Sequence, residues 1–272
     1  MKQLFELAPG SIGGTRSRRQ GKNNQDAYYS RSGPDATVAV VCDGCGSGKH
    51  SEVGAKIGAR LVVEAIARLL PNQSHTASDF WELVQQEVLL GMKTLALNMG
   101  GDRNSVAEDI VYDYFLFTIV GALITPEGAT IFAKGDGVIF LNGEYIPLGP
   151  FANNAPPYLG YALISPESDR WQWEMLHAIP LESVQSILIG TDGVLDLMQL
   201  ATTNLPGKPE AIGSISQFWA QDRYFQNPDM VRRQLHLINR ELSQINWEQQ
   251  EVNKQGGYLP DDTTIIAIRR RR

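Results

Sequence analysis

Aspartates interrupt the apolar runs of this chain. The stretches "ATVAVVC" (36–42), "ATIFAKG" (129–135), "SILIG" (186–190) and "TTIIAIR" (263–269) are short and rich in β-branched residues, the composition of buried strands. Acid-bearing turns adjoin them. "NNQDAYY" supplies Asp26, "VVCDGCG" Asp43, "AKGDGVIF" Asp136 and "LPDDTTIIAI" Asp261 with Asp262. "LIGTDGVLDLM" supplies Asp192, with Asp196 one helical turn further on. A single turn acid is ordinary, because Asp readily forms turns and caps. Hard oxygen donors at several chain ends are what magnesium or manganese requires.

The stretch "VVCDGCGSGKHSEVGAK" (40–56) admits two readings. A phosphate-cradling P-loop needs glycine five residues before its Gly-Lys pair and a hydroxyl directly after the lysine. Here those positions are Asp43 and His50, so the spacing excludes it. The other reading is a turn at a strand end, where Gly44 lets a backbone carbonyl face the same ion as the Asp43 carboxylate. A helix is expected over 51–70, capped by Ser51, with Val53, Ile57, Leu61 and Ile66 near one face and a Glu64–Arg68 pair. Cys42 and Cys45 have the C-x-x-C spacing. With no second cysteine pair and four scattered histidines, they read as packing thiols rather than a redox or zinc site.

The 272 residues suffice for one large domain or two small ones, and 43% hydrophobic content supports a sizeable core. A net charge of −6 argues against a nucleic-acid partner, and Arg269 to Arg272 read as a solvated basic tail. No signal-like segment opens the sequence. The best apolar run, 115–124, is far short of the ~20 residues of a membrane span. The expectation is a cytosolic protein with no membrane contact. A second helix is expected from Ser78 to about 98, with Phe80, Leu83, Val84 and Val88 as its stripe. Residues 114–125 read as a strand, Asn142-Gly143 as a hairpin turn and 202–227 as a loop. A last helix opens at Asn227-Pro228 and carries Val231, Leu235, Ile238, Leu242 and Ile245. Strand runs alternating with paired helices suggest a sheet-on-sheet core covered by helices.

The ordered set N-Q-D-A, V-x-D-G-x-G, G-D-G, T-D-G-x-x-D and D-D-T-T resembles the metal-dependent serine/threonine protein phosphatases of type 2C, in the style of their bacterial branch. It runs over about residues 11 to 268 in the family's order. The resemblance implies an α+β fold in a single domain: a four-layer αββα sandwich of two antiparallel sheets flanked by helix pairs. It implies two Mn2+ or Mg2+ ions, with a third in many members. Asp43 would bridge the pair and the Gly44 carbonyl would bind one ion. Asp26 would act through a bound water, and Asp192 with Asp261 would complete the other shell. Asp136 and Asp196, with Asp192, match the third-ion residues. A water activated by two metals would then attack a phosphoserine or phosphothreonine in line, on a phosphoprotein that a serine/threonine kinase had modified. The alternative is a catalytically silent relative that binds phosphorylated partners, against which the retained acids argue.

Two departures stand out. The family's phosphate-gripping arginine lies five residues before the first aspartate, where this chain has Gly21. Arg19 is the candidate to replace it, with Arg18 as its rival. The position after Asp-Gly, a histidine in some members, is Cys45, so no side-chain acid is expected there. Residues 151–167 are a candidate to shape substrate access.

Overall fold

In the computed structural model, residues 1–102, 105–149, 151, 156–165, 173–247 and 250–271 are described. The chain opens on β1 (Phe5–Ile12), the one-turn helix α1 (Thr15–Arg19), β2 (Asp26–Ser32) and β3 (Thr37–Asp43). Two long helices follow, α2 (Ser51–Leu69) and α3 (Phe80–Met99), then the short β4 (Gly101–Asp102), β5 (Ser105–Val106) and α4 (Glu108–Tyr114). Next come β6 (Ile119–Thr125), β7 (Gly128–Lys134), β8 (Val138–Leu141), β9 (Glu144–Pro147), β10 (Glu174–Ile179) and β11 (Ser186–Gly190). The last third holds α5 (Gly193–Gln199), α6 (Gln217–Ala220), α7 (Arg223–Gln226) and α8 (Met230–Ile238). It ends with β12 (Leu242–Asn246), β13 (Glu251–Gln255) and β14 (Thr263–Arg270).

Two five-stranded sheets form, in the orders β1-β14-β11-β8-β9 and β10-β7-β6-β3-β2. The continuous apolar runs follow from burial of both faces of each sheet. Side chains alternate along a strand. Ala39, Val41, Val120 and Ile131 therefore meet Ile139, Ile187, Ile189 and Ile266 between the sheets. Val38, Val40, Cys42 and Phe132 point the other way and pack with Val62, Ile66, Val84 and Val88 of α2 and α3. On the opposite outer face, Leu188, Ile265 and Ala267 meet Val194, Leu197, Val231 and Leu235 of α5 and α8. The layered α+β architecture expected from the sequence is therefore present. Asn142 (φ 52°) and Gly143 (φ 86°) make the tight turn between β8 and β9, both in the left-handed region that such hairpins require.

Local details differ from the expectations. Helix α2 buries Ala55, Ala59, Val62, Val63 and Ile66, whereas Val53 is exposed. Ser51 makes no cap; its hydroxyl accepts from the Gln25 amide at 2.6 Å. Glu64 pairs with Arg31 (3.1 Å) and Arg68 with Glu87 (2.7 Å), so neighbouring elements outcompete the intrahelical pair. Residues 108–114 are helical, and the strand begins only at Ile119. Lys49, the would-be P-loop lysine, pairs with Asp113 of α4 at 2.8 Å. The loop 202–227 contains α6 and α7, whose Phe218 and Tyr224 are fully buried.

The last helix stops at Ile238. The buried Asn239 takes the Leu259 amide on its side-chain oxygen (3.0 Å), and Leu242 lies in a separate ribbon. At the C-terminus, Arg269 and Arg270 belong to β14 rather than to a tail, and Arg272 lies outside the described residues. Of the proposed access segment 151–167, residues 152–155 and 166–167 also lie outside them.

Candidate active site

Sheet register brings the acids together. β2 and β3 pair antiparallel with Asp26 directly opposite Asp43 at their open end, an arrangement in which like charges repel. Asp192 stands where β11 passes into α5, and Asp261 and Asp262 stand where the chain enters β14, the neighbour of β11. Glycines allow the close approach. A side chain on Gly193 would strike the Asp262 carbonyl oxygen at 2.1 Å, and one on Gly44 would meet the Gln25 carbonyl oxygen at 2.8 Å. Asp136 sits between Gly135 (φ 96°) and Gly137 (φ 146°), in a turn that other residues would strain.

Burial and crowding act on these carboxyls in one direction. Asp43 is held well above its ordinary range by burial, then by the charges of Asp26 and Asp192, and it shares a hydrogen bond with Asp192. Asp26 is likewise raised well above its range, first by burial. The Thr191 hydroxyl at 2.7 Å opposes that shift and the Asp262 charge adds to it. Burial raises Asp192. Burial and then the Asp192 charge raise Asp136 to about 6. Asp196 is raised by burial and then by Asp261, against the pull of Arg16.

Two oxygens test whether cations suit this centre. Asp26 Oδ1 and Asp192 Oδ1 are buried with no hydrogen-bond partner, and such orphaned charged groups are costly. Among the described residues, no three His, Cys, Asp or Glu side chains form a group ready to hold an ion. Magnesium does not demand one, since it keeps several waters and is commonly held by one or two carboxylates. The donors present are hard oxygens in excess of positive charge, and they fit such a cation.

Of the three arginines on α1, Arg16 is the one that reaches the acids, 3.6 Å from Asp261. Arg18 is turned aside, donating to the carbonyls of Gly14 (3.4 Å) and Asn239 (3.1 Å). The Arg19 guanidinium lies beside Gly256. Neither Arg18 nor Arg19 forms an ion pair with these acids among the described residues. Arg18 lies two positions from Arg16 and so on another face of α1, while Arg19 is drawn to the segment after β13.

Asp262 is the acid whose two oxygens are both taken by backbone amides. It accepts from the amides of Gly14 (2.7 Å) and Gln25 (2.6 Å), and so ties α1 and β2 to β14. Thr191 and Tyr158 were not singled out by the sequence. Thr191 lies in the T-D-G triplet, which offered a signal, and its hydroxyl also accepts from the Thr264 amide at 3.0 Å. Tyr158 had none; burial, a bond to Cys45 and the charges of Asp43 and Asp136 raise its hydroxyl's pKa. Both cysteines are free thiols. Cys42 is buried in the core. Cys45 is half-buried, and burial raises its thiol less than hydrogen bonds from Ser47, Tyr158 and the Gly48 backbone lower it.

A family model described as protein phosphatase 2C matches residues 13–235. No curated protein matches the sequence significantly. Among solved structures, the chain resembles a C. elegans sex determining protein, with 13% identity and a TM-score of 0.54. That match covers 99% of this chain and 65% of the nematode one. A bacterial serine phosphatase carrying a point substitution matches at 13% identity and TM-score 0.53, over 98% of this chain and 99% of that one. PppA, a key regulatory component of T6SS in Pseudomonas aeruginosa, matches at 15% and 0.51, over 98% of each. At these identities the likeness is one of fold.

Proposed function

The chain belongs to the protein phosphatase 2C family, and on that premise we propose that it hydrolyses phosphoserine and phosphothreonine in proteins with the help of manganese or magnesium ions. The observation that carries the reading is the crowding of Asp26, Asp43 and Asp192, with two orphaned carboxylate oxygens, at one end of the packed sheets. Two divalent cations, when bound, supply a water ionised near neutral pH and offset charge developing on the phosphoryl oxygens.

The residues of the chain have distinct roles in this reading. Asp43, opposite Asp26, would help to hold both ions, with the Gly44 carbonyl contributing to one of them. Asp192 and Asp261 would complete the set that holds the other ion, and Asp136 and Asp196, with Asp192, would hold a third. Thr191 holds Asp26 in orientation through its 2.7 Å hydrogen bond. Asp262 fixes the loop that presents Gln25 and Asp26. Arg16 takes the phosphate-gripping role on the strength of its place beside Asp261. Its planar fork suits two parallel hydrogen bonds to phosphate oxygens. Arg19 and Arg18 are the alternatives for that role. No helix among the described residues is long and apolar enough to cross a membrane, and a phosphoprotein is the substrate proposed.

The test is hydrolysis of para-nitrophenyl phosphate and a phosphothreonine peptide by metal-stripped protein titrated with manganese or magnesium. Activity should appear with the metal and vanish with chelator; full activity in stripped protein would refute the reading. Binding of the phosphopeptide without turnover would identify a silent binding module instead. Arg16→Ala should lower kcat/KM about 10- to 150-fold, the equivalent of a ~1.5–3 kcal/mol charge-assisted hydrogen bond. Metal affinity should change by no more than the ~0–1 kcal/mol of the exposed Arg16–Asp261 pair. A comparable loss in Arg19→Ala or Arg18→Ala alone would reassign the role.

A further inference from the structure

A two-stranded ribbon stands apart from both large sheets. Among the described residues β12 and β13 pair only with each other, from Leu242↔Gln255 to Asn246↔Glu251. Five residues per strand make an arm roughly 17 Å long at ~3.4 Å per residue, and an isolated hairpin is at best marginally stable in water. Its far end nevertheless carries large apolar side chains without cover. Trp247 is 80% exposed and Val252 55%.

The root of the ribbon is fixed and basic. Asn239, just before it, donates to the Gly13 carbonyl (3.3 Å) and accepts the Leu259 amide (3.0 Å). Arg18 donates to the Asn239 carbonyl and lies 4.0 Å from Glu241 at the foot of β12, and the Arg19 guanidinium lies beside Gly256, directly after β13. The segment from there to Asp261 is bonded to α1. The carbonyls of Leu259 and Pro260 accept the amides of Thr15 and Arg16, each at 2.9 Å. The arm, the arginines and the acid centre thus share one anchored stretch of chain.

We propose that the ribbon is the docking arm for the phosphoprotein substrate. An extended segment flanking the phosphorylated residue lies along it, with an apolar side chain against Trp247 and Val252 and its anionic end toward the arginines of α1. Three observations favour this occupant: continuity of the ribbon with Asp261, a root where Arg18 and Arg19 outnumber the single acid Glu241 in a chain of net charge −6, and strand edges that are free among the described residues. Such edges bind extended peptides through main-chain hydrogen bonds, while exposed side chains read the sequence. The proposal rests on the phosphatase reading of the acid centre.

The experiment compares the full-length protein with Trp247→Ala and Val252→Ser, both surface changes that leave the core intact. Two substrates are used, phosphorylated casein and para-nitrophenyl phosphate. Trp247→Ala should lower kcat/KM on casein about fivefold or more, the scale of truncating an aromatic anchor. The loss should come through KM, with the aryl phosphate unchanged. Val252→Ser should give a smaller loss of the same kind. Anisotropy of labelled phosphocasein binding should weaken in parallel, and this readout needs no turnover. If the parent hydrolyses neither substrate, the phosphatase reading fails while anisotropy still decides the role of the ribbon. Unchanged casein binding in both variants overturns the proposal. So does a concentration-dependent dimer that Trp247→Ala dissolves, because it assigns the face to a second copy.

Discussion

Asp262 accepts two backbone amides and is 3% exposed, whereas the neighbouring Asp261 side chain is 45% exposed and faces Arg16. An asparagine at 262 would turn an amide group toward one of those N–H donors and leave it buried without an acceptor, at a cost of about 1–3 kcal/mol. Asp262→Asn should therefore lower the urea midpoint, with a smaller loss of manganese affinity than Asp261→Asn gives. An exposed ion pair contributes only about 0–1 kcal/mol, so Asp261→Asn should leave the midpoint nearly unchanged and weaken manganese binding by calorimetry. The reverse pattern would mean that the ligand is Asp262. A second residue-scale consequence concerns pH. Burial and Asp192 raise Asp136 from 3.8 to about 6, so between those values the folded state holds more protons than the unfolded one. The Asp136 contribution to the stability of the metal-stripped protein should then fall as pH rises through this window and level off above it, while Asp26 and Asp43, raised in the same direction, add their own decline. Asp136→Asn should flatten that slope in thermal melts, and an unchanged slope would contradict the assignment. The acids were legible in the sequence because they recur at the ends of apolar runs, with glycine beside Asp43, Asp136 and Asp192. The approach of Arg16 to Asp261 was not, because the direction of a side chain on a one-turn helix depends on how that helix is anchored.

Helix α2 shows where pattern reading stops. Its apolar stripe, judged by large residues, included Val53, which is exposed. The buried face instead uses small residues, because the end of α4 and the segment leading into β6 approach too closely for larger ones. A side chain on Gly54 would lie 1.6 Å from the Tyr114 carbonyl oxygen, and one on Gly58 would lie 2.2 Å from the Phe117 ring. Replacing a helical glycine with alanine gains up to ~1 kcal/mol in propensity, but overpacking a tight contact costs ~1–3 kcal/mol. A clash with backbone falls at the upper end of that range. Gly54→Ala should destabilise by about 1–2 kcal/mol and lower the Tm by several degrees. Gly46→Ala, which meets nothing within 4 Å, is the control and should be neutral. Equal melting of the two variants would disprove the close-packing account. The same limit explains the ribbon. Leu242 and Ile245 continued the helical period of α8, and nothing in the periodicity marked Asn239 as the buried polar stop.

At the scale of the whole molecule, the first and last strands close one sheet together, in register from Phe5↔Arg270 to Ile12↔Thr263. The basic run at the C-terminus is part of that closure. Arg269 is 8% exposed and donates to Glu6 at 2.8 Å. It also pairs with Asp222 at 2.8 Å and lies 4.0 Å over the Phe225 ring. One guanidinium thus joins β1, β14 and α7, and with α7 the 202–227 segment. Composition suggested a solvated tail because charge runs usually are one; tertiary partners for the arginines could not be read from the run itself. Removing one partner of a buried pair costs ~3–5 kcal/mol when the other is left alone. Glu6 keeps Arg271 at 3.2 Å, so Arg269→Ala should cost less, about 1–3 kcal/mol, read by urea denaturation. Arg269→Lys should recover only part of that, since a point charge reproduces neither the fork nor the ring contact. Thr263 lies six strand positions away, about 20 Å at ~3.4 Å per residue. Turnover of an aryl phosphate per folded molecule should therefore be unchanged at a temperature where the variant remains native. A fall in kcat without a fall in stability would show that the C-terminal strand transmits to the acid centre instead of merely closing the sheet.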